Sequence, residues 1–257
     1  MSNGKKCVIL QPENKRNINE TNQNNNTMKR TRILLVAFAA ILSVGMVSCD
    51  KDNNNDGDNT GDVKWVDLGL PSGLLWADCN LGANAPEEKG KYYAWGETAP
   101  KEVYDWSTYV YGKADTALTK YCTIFEYGNN GFTDNLTTLE AMDDAATAAL
   151  GSGSRIPTKA DWEELIANTT FEWTTVNGVS GRKYTAANGN TLFLPAAGYQ
   201  EGPWIGSIGS YGYYWSSSLD ENVPFIAWSF LFANGTQTTY LKDRYYGFSV
   251  RPVRSAQ

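Results

Sequence analysis

Three Asn-Gly pairs in residues 170–257 constrain the fold of the chain more than any other feature. They are Asn177-Gly178, Asn188-Gly189 and Asn234-Gly235, and each lies between short runs rich in aromatic and β-branched residues. Asn-Gly is the strongest short-range signal for a hairpin, because both residues tolerate the positive φ that a two-residue turn needs. The sequence from Thr170 onwards therefore predicts antiparallel strands joined by tight turns.

The preceding hundred residues predict one more hairpin and two helices. Two apolar, strand-like segments in 65–77 flank Pro71-Ser72-Gly73, which is a turn signal. An alanine-rich segment at 139–150 predicts a short helix that ends at a Gly-Ser run. A second helix is predicted within 155–168, where Thr158 and Asp161 have the spacing of a capping box. Together these elements indicate an α+β fold.

The chain contains no histidine among its 257 residues. Histidine is the side chain most used for general acid–base catalysis near neutral pH. Hydrolases of the Ser-His-Asp and Cys-His types are therefore excluded. The hydrophobic content of 42% is sufficient for a buried core, so one or two domains are expected.

The N-terminal segment has the layout of a secretory signal. Residues 1–27 are polar and rich in asparagine, which indicates a disordered or non-native upstream extension and makes Met28 the expected start. Residues 28–48 form the predicted signal peptide, with three basic residues ahead of an apolar stretch. That stretch has fifteen residues, Ile33–Val47, fewer than the roughly 20 that a membrane-spanning helix needs. We expect it to be removed.

Cys49 follows the apolar stretch directly, and Met46-Val47-Ser48-Cys49 resembles a bacterial lipobox, although the family prefers Leu at the first position. The resemblance implies that Cys49 is acylated and anchors the protein to a membrane. Residues 49–62 form an acidic, Asn- and Gly-rich run that predicts a flexible tether. This run is similar to the surface-export signal of Bacteroidetes lipoproteins, which implies an outer-membrane lipoprotein exposed at the cell surface. An ordinary signal peptide followed by a plain linker is the alternative.

The charge of the mature part argues against a nucleic-acid partner. Residues 50–257 hold 15 Lys and Arg against 26 Asp and Glu, a net charge of about −11. Binding to phosphate backbones requires clustered positive charge. We therefore expect no nucleic-acid partner.

Residues 63–257 carry a set of motifs that together resemble a known family. They are WVDLGLPSGLLWA, YYAWGET, RIPTKADWEEL, LFLPAAGY, GYYWSSS and GFSVRPVR. The set resembles the Fibrobacter succinogenes-type major paralogous domain of Bacteroidetes surface lipoproteins. That family is similar to the C-type lectin fold, as are the variable proteins of diversity-generating retroelements. The resemblance implies two helices packed on a twisted antiparallel sheet, with the N- and C-terminal strands close together.

The resemblance also raises catalytic and metal-binding alternatives. The RIPTKADWEEL motif is similar to one in formylglycine-generating enzymes, but those enzymes use C-terminal cysteines, and here none follows Cys122. Asp220, Glu221 and Asn222 form a small acidic cluster, yet the sugar-binding signatures of calcium-dependent lectins are missing. We predict no catalytic residue, no metal and no cofactor. A glycosidase, which needs only two carboxylates, is the remaining enzyme class.

Two C-terminal segments, residues 220–225 and 240–246, are the predicted ligand-binding loops. Each mixes charged, polar and aromatic residues without a period that would bury one face, and each lies between framework strands. In the retroelement variable proteins, the diversified positions lie in this part of the fold. The predicted contact residues are Asp220, Glu221, Asn222, Phe225, Tyr240, Lys242, Asp243, Tyr245 and Tyr246. The ligand is expected to be a surface protein or a glycan. The alternatives are a diversified ligand binder of the retroelement type and a structural or adhesin component of the cell surface.

Two further predictions concern cysteine and tryptophan. Cys79 and Cys122 follow the lipidated residue, and in an exported protein they could form a disulfide; the sequence leaves this open. Trp106 and Trp204 lie in polar or Gly-rich loops and could stack on a sugar. The other framework tryptophans are predicted in the core: Trp65, Trp76, Trp95, Trp162, Trp215 and Trp228.

Overall fold

A computed structural model of the protein describes residues 63–256. The signal peptide, Cys49 and the acidic tether lie outside these residues. The helices are α1 (Ala145–Leu150) and α2 (Lys159–Asn168), with short 3₁₀ helices at Phe125–Tyr127, Asn129–Gly131 and Ala141–Asp143. The strands are β1 (Trp65–Asp67), β2 (Leu74–Ala77), β3 (Tyr92–Tyr93), β4 (Ser154–Arg155), β5 (Thr169–Val176), β6 (Val179–Ala186), β7 (Thr191–Pro195), β8 (Tyr199–Glu201), β9 (Trp204–Gly206), β10 (Gly212–Leu219), β11 (Ile226–Phe232), β12 (Gln237–Asp243), β13 (Phe248–Ser249) and β14 (Val253–Ser255).

The fold is α+β, as predicted, but the strands form several sheets rather than one. Their orders are β1-β2-β14-β4, β12-β11-β10-β13-β3, β5-β6-β7 and β8-β9. All neighbours are antiparallel except β10 and β13, which are parallel. β14 pairs with β2 and β4, so the first hairpin and the last strand of the described region share a sheet.

The predicted hairpins are confirmed. β5 and β6 meet at Asn177 and Gly178, whose φ values of 48° and 85° fit the primed turn that Asn-Gly favours. β6 and β7 pair across the second Asn-Gly. β11 and β12 pair around Asn234-Gly235, where the Ala233 N–H donates to the Thr236 carbonyl at 2.9 Å.

Of the two predicted helices, one is confirmed and the other is shorter than expected. α2 begins with the predicted capping box, in which the Asp161 N–H donates to Thr158 Oγ1 at 3.1 Å and Asp161 accepts from the Thr158 N–H. The first helix begins at Ala145, not Leu139. Asp144 has extended backbone angles and its carboxylate accepts the N–H groups of Ala146 and Thr147, which makes it the N-cap.

The five-stranded sheet carries a core on each face. On one face α2 packs against the sheet, and the Trp162 ring stacks on Phe230 at 4.8 Å between centroids. On the other face Trp215 stacks on Phe248 at 4.3 Å. Trp76, Trp95, Trp162 and Trp215 are fully buried, as predicted. The core prediction was wrong for Trp65 and Trp228, which are only partly buried and lie beneath the cationic ends of Arg254 and Lys159.

Candidate functional site

The register of the five-stranded sheet places Tyr213 and the predicted contact residues Tyr240 and Lys242 on one face. Directly opposite residues of antiparallel strands point to the same side. Trp215 lies opposite Ser229, and Ser229 lies opposite Tyr240. Tyr213 and Lys242 are each two residues away along β10 and β12, so they share this face with Tyr240. Near Trp215 this face of the sheet is covered by the core. Further out, at Tyr240, the same face is exposed to solvent.

A small cleft of about 80 Å³ opens on this face, which we call the tyrosine cleft. Tyr199 and Tyr213 meet edge to face with centroids 5.3 Å apart, and Tyr213 lies 5.1 Å from Phe248. Ser229 is fully buried, and its hydroxyl donates to the Tyr240 carbonyl at 2.8 Å, which fixes the backbone beneath Tyr240. The lining residues are Tyr199, Tyr213, Tyr240, Lys242 and Phe248.

Lys242 supplies the cationic group of the cleft. Its Nζ lies 4.0 Å from the centroid of the Tyr246 ring, within cation–π range. Among residues 63–256 it forms no ion pair with a carboxylate. The ammonium therefore keeps hydrogen-bond donors that a ligand can use.

Tyr245 and Tyr246 form a stacked pair beside the cleft. Their ring centroids are 4.7 Å apart, and Trp106 packs against Tyr245 at 5.2 Å. Both tyrosine hydroxyls donate to Oε1 of Glu201, from 3.4 Å for Tyr245 and from a shorter distance for Tyr246. Burial and the hydrogen bond to Glu201 raise the pKa of Tyr246 well above its ordinary value, so its hydroxyl stays a donor.

Two predictions for the second predicted loop, residues 240–246, are wrong. Residues 240–243 form the end of strand β12 and are not a loop, and Tyr246 is buried and not a surface contact. Its side chain is only 6% exposed, because it packs in the core beneath Lys242 and donates to Glu201. Tyr240, in contrast, is 42% exposed and Tyr245 is partly exposed. Asp243 is half-buried, and burial raises the pKa of its carboxyl group. Of the three tyrosines, Tyr240 and Tyr245 therefore reach the surface, whereas Tyr246 is buried beside them.

The first predicted loop, residues 220–225, is stabilised by hydrogen bonds within the loop and by packing against Tyr127. Oδ1 of Asp220 accepts the N–H groups of Asn222 and Val223 at 3.0 and 2.8 Å, so this carboxylate stabilises the turn. Phe225 packs against Tyr127, with centroids 5.3 Å apart. Within this loop, only Glu221 and Asn222 are exposed.

Arg244 joins the two predicted segments, and it is missing from the predicted contact set. The side chain is fully buried and donates to the carbonyls of Pro224 and Tyr121, each at 2.8 Å. It also donates to the Lys120 carbonyl at 3.0 Å and to the Tyr109 hydroxyl at 2.9 Å. Its place in an RxxGFSVRPVR framework pattern is the sequence signal that marks it as structural.

Sequence reasoning also missed Tyr199, Glu201 and Tyr213, which complete the site. Tyr213 lies in strand β10, which the sequence assigns to the framework. Its side chain points to the cleft because successive side chains of a strand alternate between the two faces of the sheet. Tyr199 and Glu201 lie on β8, which is held beside the site by backbone hydrogen bonds of 2.8 and 2.9 Å between Gln200 and Gly247 and by a bridge between Gly198 and Gly212. Of the two loop tryptophans, Trp106 is half-buried against Tyr245, and Trp204 is 79% exposed.

The structure also bears on the disulfide and on metal binding. Cys79 and Cys122 are both free thiols, so the disulfide that the sequence left open is not formed. Burial raises the pKa of both thiols, that of Cys79 to about 12. Within residues 63–256, no group of three or more acidic, histidine or cysteine side chains is placed to hold a metal ion.

Comparison of the chain with models of known protein families, with curated proteins and with solved structures gave no match. No helix among residues 63–256 has the length and apolar character that crossing a membrane requires.

Proposed function

We propose that the protein is a non-catalytic cell-surface lipoprotein that binds a surface protein or a glycan through the tyrosine cleft and Tyr245. The observation that carries this proposal is the cleft itself, in which tyrosine rings surround an ammonium group that forms no ion pair with a carboxylate of residues 63–256. Tyrosine offers a large, rigid contact area at low entropic cost, and its hydroxyl adapts to different partners. The same rings can stack on the apolar face of a sugar or enclose a side chain of a protein.

The rigidity beneath the cleft supports a binding role. Tyr240 and Lys242 lie on β12, a seven-residue strand that pairs with β11 without interruption. Directly after β12, Arg244 donates to the Pro224 carbonyl in the loop at residues 220–225. A fixed scaffold lowers the entropy that is lost when a ligand binds. The C-type-lectin-like assignment is part of the proposal, and it is supported by the two helices, the antiparallel sheets and the shared sheet of the first hairpin and last strand.

Replacing Tyr240 by Ala should weaken ligand binding by about 2 kcal/mol, or roughly 30-fold in Kd, as expected for an aromatic anchor. Tyr240 is the most exposed ring of the cleft, so the melting temperature should hardly change. The ligand would first be identified on arrays of glycans and of purified surface proteins, and its Kd then measured by calorimetry. Trp204→Ala removes a still more exposed ring outside the cleft and should keep the wild-type Kd. The reverse pattern would move the site to the surface around Trp204 on β9.

The lipid anchor is tested by Cys49→Ser. We expect this variant to lose acylation and to leave the membrane fraction, because the sulfur that carries the lipid is gone. Radiolabelled palmitate incorporation and fractionation measure both effects. A Cys79→Ser variant is the control and should remain lipidated. A Cys49→Ser protein that stays processed and membrane-bound would contradict the anchor.

The absence of catalysis is supported by the chemistry of the site. The chain has no histidine, and Oε1 of Glu201, the carboxylate beside the cleft, accepts two tyrosine hydroxyls. We expect no turnover of peptide, ester or glycoside substrates. Sugar hydrolysis that is lost on Glu201→Gln would contradict the non-catalytic proposal.

A diversified binder is the second candidate function. The exposed positions Glu221, Asn222 and Tyr240 project from strands and turns that buried residues hold in place, so they could vary without loss of the fold. The neighbouring DNA decides between the two candidates. A reverse-transcriptase gene with a template copy of the last codons that differs at adenines would support diversification, and its absence would support a fixed binding surface.

A further inference from the structure

A second cavity, of about 380 Å³, is lined by residues that the tyrosine cleft does not use. Its volume lies in the range of pockets that hold small molecules. It lies between the loop at residues 82–90, the start of β6, and the segments that follow β7 and β9. Pro195, Ala196 and Ala197 form its floor, and Val179 and Ile208 flank them. Ile208 is 55% exposed, so an apolar side chain stands at the mouth.

The floor of this cavity presents no free polar group. The Pro195 carbonyl accepts the Tyr214 hydroxyl at 2.7 Å, and the Ala197 carbonyl accepts the Tyr92 hydroxyl at 2.5 Å. The Ala196 carbonyl accepts the Gly209 N–H at 2.8 Å. Water in the cavity therefore finds few partners on this floor, and an apolar ligand group displaces it at little cost.

The wall formed by residues 82–90 is fixed in place by buried side chains. The Asn80 amide donates to the carbonyls of Glu88 and Lys89 at 3.4 and 3.1 Å, and the Ser249 hydroxyl donates to the Lys89 carbonyl at 3.1 Å. Gly90 has φ of +66°, and a Cβ there would approach the Leu81 carbonyl oxygen to 2.4 Å. The cavity is therefore formed before any ligand arrives.

The rim of the cavity is anionic. The Glu87 carboxylate accepts the Asn177 amide at 2.6 Å, and this hydrogen bond lowers the pKa of Glu87, so the group stays ionised. The Glu88 carboxylate accepts the Asn84 N–H at 2.8 Å. The one cation of the lining, Lys89, has its Nζ 4.9 Å from the centroid of the Tyr92 ring. Two acidic residues and one lysine therefore belong to the lining.

We propose that this cavity is a binding site for a small apolar molecule that carries a protonated amine. The apolar part occupies the floor over Ala196 and Ala197, and the ammonium group lies at the rim near Glu87 and Glu88. The site is independent of the tyrosine cleft, so each can be tested without the other.

A pair of probes with the same ring and opposite charges tests the proposal on the full chain. Tryptamine is a cation at neutral pH and indole-3-acetate is an anion. Saturation-transfer NMR and calorimetry should show saturable tryptamine binding, with indole-3-acetate weaker by roughly threefold or more, the scale of an exposed charge pair. Equal binding or the reverse order would overturn the charge assignment. No tryptamine binding at all would overturn the site.

Variants locate the binding to the cavity. Val179→Phe fills it and should abolish tryptamine binding, whereas Thr175→Phe on the same hairpin, at an exposed position outside the lining, should not. Ile208→Lys places a cation at the mouth and should reverse the preference between the two probes. Thermal denaturation confirms that each variant is folded. Tryptamine binding that survives Val179→Phe and Ile208→Lys in folded protein would place the probe elsewhere and refute the proposal.

Discussion

Arg244→Met should lower the free energy of unfolding by about 4 kcal/mol or more, the largest effect that we expect from a substitution outside the apolar core. The guanidinium is fully buried and satisfies three backbone carbonyls and the Tyr109 hydroxyl. Each buried acceptor that loses its donor costs about 1–3 kcal/mol. Removing the charge recovers some desolvation energy, but a single methionine cannot serve four polar partners.

Urea denaturation followed by tryptophan fluorescence measures this loss. Arg155→Met is the matched control, because Arg155 is 38% exposed and pairs mainly with Asp161 at 2.6 Å. A partly exposed pair of this kind contributes about 1 kcal/mol or less. Equal losses in the two variants would show that Arg244 does not hold the two C-terminal segments together.

Trp215→Ala should cost about 3–5 kcal/mol, the usual range for removing a large aromatic side chain from a core. The ring is fully buried, stacks on Phe248 at 4.3 Å and donates Nε1–H to the Tyr93 carbonyl at 2.7 Å. The alanine removes this hydrogen bond and leaves a cavity on β10, the central strand of the five-stranded sheet. Trp204→Ala is the control: it removes a ring that is 79% exposed, so its effect should stay within about 0.5 kcal/mol. A stable Trp215→Ala protein would be inconsistent with this packing.

The elements that the sequence predicted well are those whose signals are local. The hairpin at Asn177-Gly178 and the capping box of Thr158 and Asp161 depend on residues no more than a few positions apart. The predicted start of α1, at residue 139, was wrong because the alanine-rich composition was not the only local signal in this segment. Asp144 binds two N–H groups as an N-cap, and that position fixes where the helix begins.

The candidate site was less predictable because its geometry depends on distant partners. Tyr246 lies in a segment whose mixed composition predicts an exposed loop. Its hydroxyl nevertheless donates a hydrogen bond to Glu201, which is 45 positions away in the sequence. Tyr213 was assigned to framework, although the same strand alternation that buries Tyr214 turns it towards the cleft. Whether Cys79 and Cys122 form a disulfide likewise depends on their distance in space, which their spacing in the sequence does not determine. Both are free thiols.

The position of β14 between β2 and β4 determines when this domain can finish folding. Val253 pairs with Trp76 across about 180 residues of chain. At a synthesis rate of 5–20 residues per second, a ribosome needs roughly 10–35 s to deliver the second partner after the first. Until then β2 and β4 have no strand between them, and their open edges are available to other chains. A chain stopped before Val253 would keep those edges permanently, so truncation at the C-terminus should promote aggregation more than the loss of a three-residue strand suggests.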